Sequence, residues 1–159
     1  MKITLLELIA VQAQAHKQAT AILGFNRLAL TYARLFEQVQ RIGQQLHALG
    51  LHRHSRIALV LPNGPEAAVA FVCVASYMIC APLNPSYSAH EFDFYLADLR
   101  VDALVVIAGR QSAAVAVAHK RHIPILYLAG LSENVAGLFD LTTSWLGERS
   151  HCVWSGSGR

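Results

Sequence analysis

Four short, mostly apolar runs alternate with helix-length segments, and this alternation limits the possible folds more than any other feature of the chain. The runs cover residues 56–61, 80–83, 103–107 and 123–128. Runs of this length between turn residues are typical of strands that are buried on both faces. Because strands that alternate with helices form right-handed crossovers, we expect a parallel, Rossmann-like α/β sheet between two layers of helices.

The segment before the first strand predicts a helix, a β-hairpin and a second helix. Thr4 is the expected N-cap of a helix at 5–17, and a Gly/Asn turn at 24–27 predicts the hairpin. Apolar residues spaced by three and four predict an amphipathic helix at 31–49. Its first residue is a threonine that can cap it, and Gly50 stands in the usual C-terminal position.

Three more helices are predicted between the strands. Ser88 and Glu91 have the spacing of a capping box, which starts a helix that ends near residue 99. The other two helices are expected at 66–78 and 112–121. The predicted core consists of apolar residues on the inner helix faces and in the strands: Leu35, Val39, Ile42, Leu46, Ile57, Leu59, Val69, Val72, Val105 and Ile125.

The regular pattern ends near Ala129. We therefore expect one α/β unit at 1–130 and an irregular tail at 131–159. Hydrophobic residues make up 54% of the chain and charged residues only 14%, whereas about 25% is usual for charged residues. This surplus predicts an exposed apolar patch, an open edge on the fourth strand, and self-association.

Charge and cysteine content restrict the partners and the compartment. The net charge of +3 is scattered, and the only basic cluster, residues 52–56, has no aromatic residues within it. This pattern argues against binding to nucleic acid. Cys73 and Cys80 lie in apolar surroundings and predict core positions, and Cys152 lies in the tail. Three cysteines without a CxxC pattern favour a reducing cytoplasm.

Two segments resemble export or membrane signals, but neither predicts one. Residues 1–15 contain an apolar stretch that Glu7 interrupts. Residues 67–83 are uncharged but contain Pro82, and a buried helix followed by a short strand explains them better than a membrane span.

Four ordered motifs resemble those of AMP-forming (adenylate-forming) acyl-CoA synthetases. Residues 30–35 (L-T-Y-A-R-L) are similar to the motif L-T/S-Y-x-E-L, with Arg34 in place of the acid. Residues 56–66 resemble the segment R-V-A-(I/L)-x-L-P-N-x-x-E, and residues 75–85 resemble A-G-A-x-x-x-P-L-(D/N)-P. Residues 82–98 look most similar to the branch that contains oxalate- and coumarate-CoA ligases.

The resemblance covers roughly residues 5–107 and implies the N-terminal subdomain of the adenylate-forming fold. It also implies ATP, Mg²⁺ and CoA for the full-length family. The phosphate loop and the catalytic lysine of the family are not recognisable in this sequence. Residues 155–159 (S-G-S-G-R) only faintly resemble the start of the loop. We therefore assign no catalytic, cofactor-binding or metal residues and no cofactor to this chain alone, and expect it to be inactive alone.

Other polar groups are better explained by local structure than by chemistry. His52 and His54 lack an acid or cysteine close in sequence, so a metal site is not expected. Ser86, Ser88 and His90 lack the strand–turn–helix context of a catalytic serine. Glu91 is explained by capping, and the carboxylates at 93 and 98 by a solvated helix face.

The sequence leaves two alternatives to an N-terminal ligase fragment. The chain could be a stand-alone module that binds a small ligand, although the turn at 62–65 has a single glycine and so lacks the usual phosphate-binding pattern. It could also be an interaction protein that docks on a separately encoded ligase remainder.

Overall fold

The computed structural model describes residues 3–131 and 134–143. In chain order, the elements of this part are α1 (Leu5–Ala15), β1 (Thr20–Ile22), β2 (Leu30–Thr31), α2 (Tyr32–Ala48), β3 (Arg56–Val60), α3 (Pro65–Ala75), β4 (Ile79–Pro82), α4 (Ala89–Asp98), β5 (Ala103–Ile107), α5 (Ala113–Lys120), β6 (Ile125–Gly130) and β7 (Phe139–Thr143). The predicted helix and hairpin at the start of the chain are therefore confirmed.

The main sheet has five strands in the order β4-β3-β5-β6-β7. Strands β4, β3, β5 and β6 are parallel, as predicted, with Ile57 opposite both Cys80 and Ala103. Strand β7 runs antiparallel to β6, so that Leu128 lies opposite Leu141. The α/β fold class is confirmed, and the sheet is mixed at one edge.

Both faces of the central strands are buried, which explains their continuous apolar sequences. In β3, Ile57 and Leu59 belong to a core shared with α2 and α3. Their neighbours Ala58 and Val60 belong to a second core shared with α4 and α5. Because side chains alternate along a strand, a strand between two helix layers needs an apolar residue at every position.

Side-chain caps start four of the helices at the expected places. Thr4 with Glu7, and Ser88 with Glu91, form complete capping boxes. Thr31 accepts a hydrogen bond from the backbone of α2, and a serine does the same for α5. These caps satisfy backbone N–H groups that have no partner within the helix.

The prediction of irregular structure from residue 131 is wrong for residues 139–143, which form β7. The prediction of an open edge on the fourth strand is wrong for the same reason, because β7 pairs with β6 along its length. The β7 sequence F-D-L-T-T has no continuous apolar run, since only Phe139 is fully buried in this edge strand. Residues 144–159, including Cys152 and the serine–glycine ending, lie outside the described part.

Nine of the ten predicted core residues are buried, and Val72 is half-buried. Helix α3 ends at Ala75, three residues earlier than expected. There the Ser76 hydroxyl donates to the carbonyl of Val72 at 2.7 Å, and residues 76–78 turn the chain into β4. A side chain that bonds to the backbone in this way competes with continued helix.

Candidate functional site

The chain leaves two neighbouring strands towards opposite faces of the sheet. Strands β3 and β5 are adjacent, but α3 packs in one core and α5 in the other. The loops that follow the two strands, 61–64 and 108–112, therefore diverge at the carboxyl ends, and from this topology we infer a crevice between them. Ligands of doubly wound sheets bind at this kind of position, so the crevice is the candidate site.

The polar groups at the crevice are exposed but chemically neutral, apart from one cation. Asn63 and Gln111 offer amides and Arg110 a guanidinium, and all three are exposed. Gly109 has a φ of 74°, in the left-handed region that favours glycine. These two loops hold no carboxylate, histidine or thiol, so they can orient a ligand by hydrogen bonds but contain no acid or base for catalysis.

The first turn of α3 does not fit the phosphates of a nucleotide. Pro65 stands at the first helical position and has no N–H to donate. Glu66 adds a carboxylate to the same turn, and that carboxylate accepts a hydrogen bond from the Gly137 backbone at 3.2 Å. A phosphate at this helix end would find one donor fewer than usual and a carboxylate that competes with it for N–H donors and for the charge of Arg27. No step of ATP chemistry is therefore assigned to these residues.

An ion pair lies at the first turn of α3, directly after the loop 61–64. The Arg27 guanidinium pairs with Glu66 and donates to the carbonyl of Val135 at 2.7 Å. Both ionic side chains are about four-fifths buried, with 23% and 21% exposure. The pair joins the hairpin, the start of α3 and the segment before β7, although these three segments are far apart in the sequence.

A second polar cluster attaches β7 to α2. Gln38, which is buried, donates to the carbonyl of Phe139 at 2.8 Å. Arg41 donates to the same carbonyl and forms an ion pair with Asp140. These residues were not singled out in the sequence. The available signal was the position of Gln38 beside the apolar stripe of α2, because a buried polar side chain needs a hydrogen-bond partner.

A cavity of about 400 Å³ lies at the opposite end of the sheet. Its lining residues come from the starts of β3 and β4 and from the end of α4: Arg56, Ile79, Ala81, Asp98, Leu99 and Arg100. The Arg56 side chain donates to the carbonyl of Leu99 at 3.4 Å, and its backbone N–H donates to Asp102 at 2.7 Å. Arg56 thus interacts with the end of α4, a stabilising place for a cation.

The two histidines of the basic cluster interact with their own loop. The backbone N–H of His54 donates to Nδ1 of His52 at 3.3 Å, and Arg53 donates to Nε2 of His54 at 2.9 Å. One nitrogen of each ring is therefore engaged as an acceptor. Within residues 3–131 and 134–143, no three His, Cys, Asp or Glu residues are grouped so that they could hold a metal ion.

The serines after β4 serve turns and a helix end. Ser88 donates its hydroxyl to Glu91 at 2.7 Å, and its backbone N–H donates to the same carboxylate at 2.8 Å. These bonds lower the pKa of Glu91. The backbone of Ser86 donates to Asn84 at 2.9 Å in a turn.

The other carboxylates of α4 lie in two different environments. Asp93 accepts a hydrogen bond from Arg121 at 2.8 Å, which lowers the pKa of Asp93 and links α4 to the end of α5. Asp98 is exposed and lines the cavity described above. The two carboxylates therefore do not form a pair.

The two described cysteines are not activated. Burial raises the pKa of Cys73 and of Cys80 to about 12. Both thiols are therefore protonated at neutral pH, and a protonated thiol is a poor nucleophile. Cys73 is fully buried, as predicted, whereas Cys80 is half-buried.

In the part of the chain that the structure describes, no helix is long and apolar enough to cross a membrane.

Comparison with known proteins identifies relatives of this fold and sequence. The family described as AMP-binding enzyme matches residues 9–142. The protein named Probable CoA ligase CCL9, from Humulus lupulus, is 37% identical over 122 residues, which are 76% of this chain and 23% of that protein. An oxalate–CoA ligase of Arabidopsis thaliana is 32% identical over 91 residues, which are 56% of this chain and 17% of that protein.

Solved structures show the same arrangement of strands and helices. The apo structure of MatB from Rhodopseudomonas palustris matches with a TM-score of 0.69 and 23% identity, and the match covers 80% of this chain and 26% of that one. This chain therefore spans about a quarter, or less, of the proteins that it matches here.

Proposed function

This chain belongs to the AMP-binding enzyme family, and we propose that it forms the N-terminal α/β part of an ATP-dependent acid–CoA ligase. The observation that carries the proposal is the family match over residues 9–142, together with relatives named as CoA ligases. The fold is consistent with it, because β3 and β5 form a topological switch point, where ligands of doubly wound sheets bind.

The reaction of the whole ligase would have two steps. A carboxylate attacks the α-phosphorus of ATP and forms an acyl adenylate with release of pyrophosphate. The sulfur of CoA then attacks the acyl carbonyl carbon and releases AMP. The described residues offer no phosphate cradle and no carboxylate cluster for Mg²⁺. We therefore infer that this part contributes one wall of the site, and that the groups which act on ATP lie in further polypeptide.

The partner that this proposal implies is the remainder of the ligase chain. The unit at 1–130 and strand β7 would together form one folded body, because both arginine clusters cross between them. A reducing cytoplasm suits the unpaired Cys73 and Cys80.

A chimera tests the proposed function. Residues 1–143 of this chain would replace the aligned region of CCL9, and ATP–pyrophosphate exchange would be measured with a panel of carboxylic acids. We expect the chimera to support exchange with an acid that CCL9 itself accepts. CCL9 without the aligned region is the matched control and should be inactive. A folded chimera without exchange, beside an active CCL9, would contradict the proposal.

A further inference from the structure

The tip of the hairpin between β1 and β2 exposes three large apolar side chains. Leu23, Phe25 and Leu28 are 74%, 91% and 64% exposed, the highest values among the large hydrophobic residues of the described chain. Single exposed apolar residues are ordinary, but three within one short loop concentrate exposed apolar surface in one place, which is typical of interfaces. We name these three residues the hairpin patch.

The backbone beneath the hairpin patch is fixed by other segments. The N–H of Leu28 donates to the carbonyl of Asn134 at 3.0 Å, and its carbonyl accepts from Ala136 at 2.9 Å. The Arg27 guanidinium is held in its ion pair with the first turn of α3. A Cβ added to Gly24 would lie 2.9 Å from the Cβ of Ala136, so the loop packs closely. The patch is thus presented on a supported loop, which lowers the entropy cost of binding.

The hairpin patch also lies beside the candidate site. The same added Cβ of Gly24 would be 3.2 Å from Pro65, the first residue of α3. Helix α3 follows directly on the crevice loop at 61–64. A polypeptide that covered the patch would therefore stand near the carboxyl end of β3.

We propose that the hairpin patch is the docking surface for the remainder of the ligase polypeptide. This inference rests on the proposed function. The matches cover only 23% of CCL9 and 26% of MatB, so most of each relative's chain is polypeptide of the kind that would cover this surface. Docking here would bury the patch and close the crevice in one contact.

The experiment uses two separate polypeptides: this chain, and the part of CCL9 that follows the aligned region. Their affinity would be measured for the wild-type chain, for the double variant Phe25→Ser/Leu28→Ser, and for Phe94→Ser. Phe94 is the matched control because it is an exposed aromatic residue, at 59%, on helix α4 of the other core. We expect the double variant to bind about tenfold more weakly or worse, and the control to bind like the wild type. Equal urea midpoints would show that all three chains are folded alike.

Each other outcome would overturn the inference in a different way. If the double variant bound as well as the wild type, the patch would not be the docking surface, but the ligase proposal would stand. If the wild-type chain instead formed a dimer that the double variant abolished, the occupant would be a second copy of this chain. If the wild type did not bind a CCL9 segment that shows its own cooperative urea transition, docking would be refuted, and the chimera described above would decide separately whether the ligase function falls with it.

Discussion

Gly43 shows how a single missing methyl group lets helix α2 approach the turn that follows α3. It lies inside α2, where a Cβ would sit 2.3 Å from the ring of Tyr77. Alanine would favour the helix by about 1 kcal/mol, but overpacking costs about 1–3 kcal/mol. We expect Gly43→Ala to lower the free energy of unfolding, as measured with urea. Gly130→Ala is the control, because a Cβ there meets nothing within 4 Å. A more stable Gly43→Ala variant would show that Tyr77 moves aside freely.

A substitution at Leu59 tests whether the central strand β3 is buried. It is 4% exposed in β3 and lies in the core with α2 and α3. Leu59→Ala would leave a cavity and should cost about 2–5 kcal/mol in the free energy of unfolding. Leu8→Ala on α1 is the control, since Leu8 is 45% exposed. A loss below about 0.5 kcal/mol for Leu59→Ala would contradict the position of the strand.

At the scale of elements, the attachment of β7 to α2 can be tested. Arg41 joins it to α2, but the ion pair with Asp140 is exposed by 38% and 43%, so solvent screens it. We expect Arg41→Met to cost about 1 kcal/mol, chiefly through the lost hydrogen bond to Phe139. Amide exchange should rise first at residues 139–143. Arg121→Met removes a comparable pair between α4 and α5 and should leave β7 unchanged. Faster exchange throughout the sheet would mean that β7 does not open separately.

Capping residues and apolar runs in the sequence correctly predicted the helices and strands that depend on neighbouring residues. The capping boxes at Thr4 and Ser88 and the apolar strand β5 were readable because each depends on neighbouring residues. Strand β7 was not readable, since its alternation is short and its partner β6 provides the reason for it to be a strand. The contacts at the candidate site were even harder to predict from the sequence. The Arg27–Glu66 pair joins residues 39 positions apart, and no periodicity in the sequence reports such a contact.

The edges of the sheet restrict association of the whole molecule. Ile79 donates to Ser55, just before β3, and Leu83, just after β4, donates to Leu59 of β3. The alternate N–H positions of β4, 80 and 82, therefore point outwards, and Pro82 has no N–H. In β7, the Phe139 carbonyl is already bonded by Gln38 and Arg41. Within the described chain, both edges are therefore poor templates for strand addition.

Self-association of the isolated chain stays a prediction, and these edges move its expected origin to the exposed apolar side chains. We expect the chain to bind a hydrophobic dye, and Phe25→Ser/Leu28→Ser to bind less of it than Phe94→Ser does. Sedimentation of the same variants would show whether association follows the dye signal. An unchanged dye signal in the double variant would mean that the dye binds to another exposed apolar surface, for example around Leu8 and Val11 of α1.

The whole 159-residue polypeptide should not activate a carboxylic acid by itself. Activation requires groups that stabilise the negative charge of the reacting phosphates. The described α3 terminus instead presents Pro65 and the Glu66 carboxylate, and the family's phosphate loop and lysine are not recognisable in the sequence. We therefore expect no ATP–pyrophosphate exchange above a blank from the purified chain with Mg²⁺ and a panel that includes oxalate and cinnamates. The CCL9 chimera, assayed alongside, shows that the conditions support exchange. Exchange by the chain alone, which persisted after repeated purification, would mean that the crevice between β3 and β5 holds ATP without help.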